Sequence, residues 1–394
     1  MKLIGIVAEY NPFHNGHKFH IEESKKQLSD ETAIVCVMSG DFVQRGDAAL
    51  FSKYARAEAA VRAGADLIIE LPLPWSLSSA EGFARGAVGL LGALGCVSYL
   101  SFGSECGDLN ILSALATAIM DPNLDAKVLE RLGTGVSYAV ARHQALAEEI
   151  GSLADYLETP NNILAVEYLK AIYSQRLRIE PFTVVRSGAD HDAPGGSASD
   201  IRKLMHAGKP VKAYVPRKVI DVMKRETEQG RGPVFIEMLE SALLSRFRIM
   251  EPSQFNSIPD SGEGLGNRLY AAAREETSID GILSAAKTKR YAMSRLRRMC
   301  LCAALGIRAG DADGIPPYAR ILAANDTGRR AIKLISEKTS IPLVTKPATI
   351  KELPSDCKAL FELESAAHDF YVLAYSAKQE RRGLADWRTS PTMV

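Results

Sequence analysis

Five short apolar runs in the first two hundred residues constrain the fold of this chain more than any other feature. Leu3–Ala8, Ala33–Met38, Leu67–Leu71, Val97–Phe102 and Pro181–Val185 are nearly continuous in apolar side chains. Strands buried on both faces of a parallel sheet have this character, whereas half-exposed strands alternate. Between them lie stretches of helical period at His17–Leu28, Lys53–Ala63, Ser79–Leu94, Asn110–Ile119, Asp125–Leu132, Tyr138–Ile150 and Ile163–Tyr173. Strand alternating with helix predicts an open, Rossmann-like α/β sheet with right-handed crossovers. Such sheets bind ligands beyond the carboxyl ends of their strands, so function is to be sought just after each run.

The pattern changes after Ala213-Tyr-Val-Pro-Arg217. Val219–Glu228, Val234–Ser245, Arg268–Glu276, Ile282–Ala286 and Ser294–Leu305 are mainly helical in period, and Ile332–Glu337, Ile341–Val344 and Leu360–Tyr375 extend the segment. The expected organisation is a sheet domain over residues 1–212 and a mainly helical domain over 213–394. Composition fits two globular cores, with 46% hydrophobic and 24% charged residues and no low-complexity tract. Net charge is +1, but its distribution is uneven: residues 211–394 hold 29 Lys/Arg against 22 Asp/Glu, and residues 1–210 hold 19 against 25. A basic second half suits a polyanion, although chance clustering on a solvated surface explains the charge alone equally well.

The opening Met-Lys-Leu-Ile-Gly-Ile-Val is read as a first strand rather than a cleavable signal. The apolar stretch Gly86–Leu100 is rich in glycine and reads as a buried helix followed by a strand, not a membrane span. Six cysteines without a CxxC pair or zinc-ribbon spacing fit reduced thiols, and a cytosolic location is expected.

Tyr10-Asn-Pro-Phe-His-Asn-Gly-His17 sits where the first strand ends and the first helix begins. Gly16 permits close approach of a phosphate to the backbone, and the helix start supplies unpaired N–H groups and a positive dipole. His14 and His17 flank that glycine, placed to donate to phosphate oxygens whose charge changes during transfer. Two other readings apply. His14, His17 and His20 recur every three residues, which leaves a zinc site conceivable, although HxxxH and HExxH spacings are absent. Asn-Pro and Asn-Gly are also ordinary turn dipeptides. Phosphate binding accounts best for three of the seven histidines falling within seven positions.

The run VAEYNPFHNGHKFH resembles the first signature of the HxGH nucleotidyltransferase superfamily, whose domain has the HUP-type Rossmann-like fold, and more closely the tRNA(Met) cytidine acetate ligase family. Similarity continues through Met38-Ser-Gly-Asp-Phe-Val-Gln-Arg-Gly46, Phe102-Gly-Ser-Glu105, Pro160-Asn-Asn-Ile163 and Thr288-Lys-Arg-Tyr291. The resemblance implies an enzyme that uses ATP and acetate to make acetyl-adenylate, then acetylates N4 of the wobble cytidine of elongator tRNA(Met). It implies ATP contacts along Val7, Ala8, Glu9, Tyr10, Asn11, Pro12, Phe13, His14, Asn15, Gly16, His17, Lys18, Phe19 and His20, with His14 and His17 catalytic. It adds Gly103 and one asparagine of Asn161 and Asn162.

The other segments allow competing readings. Asp41, Gln44 and Arg45 follow the second strand, with Lys53 and Arg56 on the next helix; they face substrate or belong to a surface loop. Ser104 caps a helix, with Glu105 nearby, if the Phe102–Glu105 segment is structural, and one asparagine of the 161–162 pair is an expected N-cap. Arg186 places a cation at another strand end. Gly196-Ser-Ala-Ser-Asp-Ile-Arg202 is similar to the superfamily's second signature, although Ser197-Ala-Ser199-Asp200 departs from the usual Ser-Ser-Thr run. Ser197 and Ser199 can offer hydroxyls to phosphate at a helix start and Arg202 can neutralise it, against an ordinary serine N-cap.

Lys287-Thr-Lys-Arg-Tyr-Ala-Met-Ser-Arg-Leu-Arg-Arg298 carries six basic residues. Lys287, Lys289, Arg290 and Arg295 are candidates to grip RNA phosphates while Tyr291 stacks on a base; a solvated helix face is the alternative. The expected reagents are ATP, with Mg²⁺ on its phosphates and no dedicated protein metal site, acetate and tRNA, with neither DNA nor a membrane as partner. Two rival functions stand beside the ligase: an adenylyltransferase acting on a small phosphate-bearing acceptor, and a non-enzymatic protein that binds ATP and RNA.

Overall fold

A computed structural model describes residues 1–28, 31–185 and 196–394. Its strands are β1 (Lys2–Ala8), β2 (Thr32–Ser39), β3 (Phe42–Val43), β4 (Asp47–Ala48), β5 (Leu67–Leu71), β6 (Val97–Ser104), β7 (Glu180–Val185), β8 (Ala319–Ala324), β9 (Leu343–Val344) and β10 (Thr392–Met393). The main sheet runs β10-β8-β5-β2-β1-β6-β7, with β9 also paired to β8, while β3 and β4 form a separate hairpin. β1 is parallel to both β2 and β6, β2 to β5, and β6 to β7. From β1 the chain moves outward to β2 and β5, then returns to the other side at β6. The crevice between the carboxyl ends of β1 and β6 is therefore the topological switch point, where such sheets place ligands.

The apolar runs are buried on both faces. Leu3, Val35, Val37 and Ile69 join one core with the helices Ala80–Ala93 and Pro160–Ser174. Ile4, Ile6, Ile34, Cys36 and Ile68 join the opposite core with helix α2 (Lys53–Arg62) and the helix Arg217–Glu228. Alternate residues of one strand thus serve opposite layers. Gly5 lets the first layer close: a methyl there would sit 2.7 Å from Leu91 Cδ1.

Sheet and helices do not divide at 212/213. β8, β9 and β10 return to the sheet from the far end of the chain, and β8 pairs antiparallel with β5. The expected helical continuation at Ile341–Val344 is in fact strand β9. A second core gathers the helices Glu240–Ile249, Leu265–Glu275, Ile279–Ala286 and Met293–Leu305 with the end of Ser355–Tyr371. Phe42, Ala48, Leu73 and Leu77 from the first half are part of it. The β3–β4 hairpin is pinned there, since Gly46, at φ 75°, would place a methyl 2.5 Å from the backbone nitrogen of Arg298. Among the described residues no helix is long and apolar enough to cross a membrane.

Candidate active site

The loop after β1 wraps the start of helix α1 (Asn15–Lys26). Tyr10 holds φ 47°, and its ring packs on Phe13 at 4.8 Å between centroids. His14 is the N-cap: its Nδ1 accepts the Gly16 N–H at 3.0 Å, while His17 Nδ1 accepts the His14 N–H at 3.2 Å. The two rings lie 3.8 Å apart. A neutral imidazole that accepts at Nδ1 carries its proton on Nε2. Both histidines are thereby set as Nε2–H donors beside a glycine and a helix amino terminus, an arrangement suited to phosphate. The same reciprocal capping occupies both Nδ1 atoms and argues against a zinc site. His20, one turn on, meets Ser101 of β6 at 2.8 Å through Nε2.

The second signature docks on the first. Ser197 caps the helix Ala198–His206 by accepting from Asp200 N–H. Arg202 on that helix donates through Nη1 to the Asn11 carbonyl at 2.8 Å and through Nη2 to Ser199 Oγ at 3.1 Å. Asn11 accepts at Oδ1 from Leu50 N–H at 2.8 Å, and among the described residues its buried Nδ2 has no partner. Asn15 is tied by its N–H to Tyr214 O and by its side chain to Ala213 O. Burial raises the Glu9 carboxyl, against the hydrogen bond from Gln44 and the charges of Arg202, Arg56 and Arg45.

Gly103 is the penultimate residue of β6, opposite Val184 of β7. Neither asparagine of the 161–162 pair is the N-cap expected from sequence; Thr159 holds that position without a side-chain bond. Glu105 supplies the cap from outside, accepting from Asn161 and Asn162 N–H. Buried Asn162 spends its side chain on Glu105 N–H, Cys106 N–H and Tyr156 O. Partly exposed Asn161 holds Glu105 through Nδ2 at 2.6 Å. Ser104 accepts from Gly107 N–H, and Asp108 caps the helix that follows. Arg186 lies outside the described residues.

Three candidates from the segment after β2 turn inward instead of toward a ligand. Arg56 is spent on the carbonyls of Glu9, Ser39, Gly40 and Phe51, bracing the turns after β1 and β2. Asp41 accepts from Lys53 N–H and meets His368 Nδ1 at 2.7 Å. Burial works to raise Asp41, but the charge and bond of His368, with Lys53, hold it below its ordinary value. Lys53 Nζ reaches Glu70 at 2.8 Å and Asp386 at 2.6 Å, and Arg320 of β8 reaches Asp386 at 2.7 Å and Glu70 at 3.2 Å. This buried network fastens β5, β8, α2 and the chain's last residues beneath the site. Gln44 bonds Glu9 and Ser78 O, and Arg45 is exposed.

The basic run is divided. Lys289, Arg290 and Arg297 are exposed, whereas Arg298 is buried beside Asp260. Tyr291 is buried too, donating to Glu263 at 3.0 Å with the Arg295 guanidinium 4.9 Å above its ring. Arg295 also donates to Asp260 O, and Lys287 turns back to the carbonyls of Thr288 and Tyr291. In this conformation the tyrosine is a packing residue.

A family model, HIGH Nucleotidyl Transferase, matches residues 1–386. The tRNA(Met) cytidine acetate ligase of Caldanaerobacter subterraneus subsp. tengcongensis is 40% identical over 389 residues, 95% of this chain and 96% of that protein. That of Acetivibrio thermocellus is 38% identical over 397 residues, covering 95% of each chain. Among solved structures, Thermotoga maritima TmcAL bound with alpha-thio ATP aligns along the whole of both chains with a TM-score of 0.93 and 33% identity. With its signature loops joined through Arg202 and its likeness running the length of the chain, this protein belongs to the HIGH nucleotidyl transferases and, within them, to the tRNA(Met) cytidine acetate ligase family.

Proposed function

We propose that this chain is an ATP-dependent tRNA(Met) cytidine acetate ligase, forming acetyl-adenylate at the β1/β6 crevice and passing the acetyl group to cytidine N4. The observation that carries the adenylation step is the pairing of His14 and His17, each fixed at Nδ1 by a backbone N–H and so presenting Nε2–H at the amino terminus of α1. Acetate oxygen attacks the α-phosphorus of ATP and pyrophosphate departs. The histidines donate to the oxygens that gain charge, and the Arg202 guanidinium adds positive charge from the second loop. Gly103 and Asn161 border the nucleotide on the β6 side. Mg²⁺ arriving with ATP offsets phosphate charge. Among the described residues the cluster with metal-ligating spacing, His143, Asp155 and Glu158, lies away from both signatures in sequence, and an ion accompanying ATP would supply positive charge to the phosphates beside His14, His17 and Arg202.

In the second step the cytidine amine attacks the acetyl carbonyl and AMP leaves. Activation is required because carboxylate oxygen is a poor leaving group. The exposed Lys289 and Arg290 hold RNA phosphates near the helical half. The direct test incubates the protein with ATP, acetate and an elongator tRNA(Met) transcript, then digests the RNA and measures N4-acetylcytidine by mass spectrometry. Appearance of the modified nucleoside only when ATP and acetate are both present supports the reading; an unmodified transcript contradicts it.

A further inference from the structure

A cavity of about 430 Å³ opens between the β3–β4 hairpin, the Arg202 helix and the helical half. Its size falls in the range of small-ligand pockets, about 300–1,000 Å³. Phe235, Leu243 and Leu283 give it apolar walls, and its charged lining sets Asp47, Glu237 and Asp280 against Arg202, Lys203 and Arg297. We infer that this cavity receives the acceptor cytosine, with Asp47 accepting from the N4 amine and Arg297 donating to the N3/O2 edge. The inference rests on the ligase reading above and deepens it.

Three features favour this occupant. The first is placement: Arg202 lines the cavity and also binds the Asn11 carbonyl of the first signature, so one side chain joins the cavity to the adenylation loop. A second is the charge pattern. Asp47 Oδ1 accepts from its own neighbour, Ala48 N–H, at 2.9 Å, and among the described residues no protein donor meets Oδ2. Arg297 likewise forms no ion pair among the described residues, although its charge acts on Asp47. A carboxylate acceptor beside a guanidinium donor matches the Watson–Crick edge of cytosine, which offers an amine next to two acceptors. Uracil offers an oxygen where cytosine has the amine, and it would face the carboxylate unfavourably. The third is the wall: a half-buried aromatic with aliphatic neighbours suits the faces of a base taken out of its stack. Asp47 is held firmly, because its hairpin is clamped against Arg298 through Gly46.

The chemistry needs a proton acceptor at this point. The N4 lone pair is delocalised into the ring and nucleophilic only as its proton leaves. As N4 bonds to the acetyl carbon, that proton passes to Asp47, the carbon–oxygen bond to phosphate breaks, and AMP departs with the electron pair. Burial raises the Asp47 carboxyl, helped by the charge of Glu237 and against the pull of Arg202, the Ala48 N–H and Arg297, which makes it a stronger base.

The test compares two half-reactions in Asp47→Asn, Asp47→Glu and Arg297→Ala, after circular dichroism and melting establish that each variant folds. Acetate-dependent ATP–pyrophosphate exchange reads the first step, and N4-acetylcytidine formation on the transcript reads both. Asp47→Asn is expected to lower the ratio of transfer to exchange by about 10²-fold, the low end for loss of a general base, and Asp47→Glu to recover part of it. Arg297→Ala is expected to raise the half-saturating tRNA concentration and to narrow the preference for cytidine over uridine at the acceptor position in binding. An unchanged ratio in Asp47→Asn overturns the inference, as does an equal fall in both steps, which assigns the cavity to the nucleotide. If wild-type protein shows neither exchange nor transfer, the ligase reading itself fails, and that outcome is separate.

Discussion

Arg202 donates from Nη1 to the Asn11 carbonyl across 2.8 Å, joining two signatures that lie 191 residues apart. A planar fork also holds Ser199, and lysine cannot reproduce that geometry. Arg202→Lys is therefore expected to slow pyrophosphate exchange by about 10²-fold, in the range seen when one transition-state donor is removed. Exchange kinetics against ATP concentration check this. A change confined to KM would mean that Arg202 binds ATP without favouring the transition state.

His14 has two tasks that mutation can separate. It caps α1 and offers Nε2–H to the site. His14→Asn keeps an acceptor for Gly16 N–H but loses the ring, whereas His14→Ala loses both. Both variants, and His17→Ala, should lose about 10²–10³-fold in exchange. His14→Ala alone among the two His14 variants should give up about 1 kcal/mol of stability through the lost cap. Exchange rates paired with urea melts test the division.

Asp386 lies at the far end of the chain yet binds Lys53 and Arg320 in the buried network. Burial works to raise its carboxyl, but those two cations hold it far below its ordinary range. Asp386→Ala strands two buried cations beside Glu70, and a loss of about 3–5 kcal/mol is expected in denaturant unfolding. Truncation before residue 386 should behave alike.

Glu364 responds to pH in the opposite sense. Burial and the nearby Glu70 push its carboxyl up from 4.5 to about 8, against Lys53 and Arg320, while Tyr318 donates to it. Between those values the folded chain keeps a proton that the unfolded chain has lost. Its contribution to stability is complete below pH 4.5 and is lost as pH rises through 8. Glu364→Gln, which stays neutral, should thus gain Tm relative to wild type as the buffer moves from about pH 5 to pH 8. A constant Tm difference across that interval contradicts the shift.

Much of this arrangement is legible in the residues. The five apolar runs are strands of the main sheet, and the HxGH loop falls at its switch point because the glycine and capping histidines are contiguous in sequence. The run Ala319–Ala324 does not announce itself as a strand. It is short and apolar, and it sits among helical patterns that offer it no visible partner; only the tertiary fold lays it antiparallel to β5. The buried role of Lys53 and Arg56 is equally hidden, since Asp386 lies 333 residues from Lys53. Local charge patterns suggest a solvated or ligand-facing surface, and burial depends on distant partners. Tyr291 illustrates the same limit, because its partner Glu263 comes from a separate loop.

The exposed cations of the basic run should grip RNA without touching adenylation. Lys289→Ala with Arg290→Ala is expected to weaken tRNA binding and to flatten its salt dependence by about 0.7–0.9 log unit for each phosphate no longer neutralised. Exchange without tRNA should remain close to wild type. Filter binding at several salt concentrations, alongside exchange, reads both. Loss of exchange with unchanged affinity would move these residues to the nucleotide site.

The most direct measurement is ATP–pyrophosphate exchange across a panel of small carboxylates, with no tRNA present. The account predicts exchange that depends on acetate and collapses when His14 and His17 are both replaced by alanine. Exchange absent with every carboxylate, or exchange undiminished in the double variant, would contradict it.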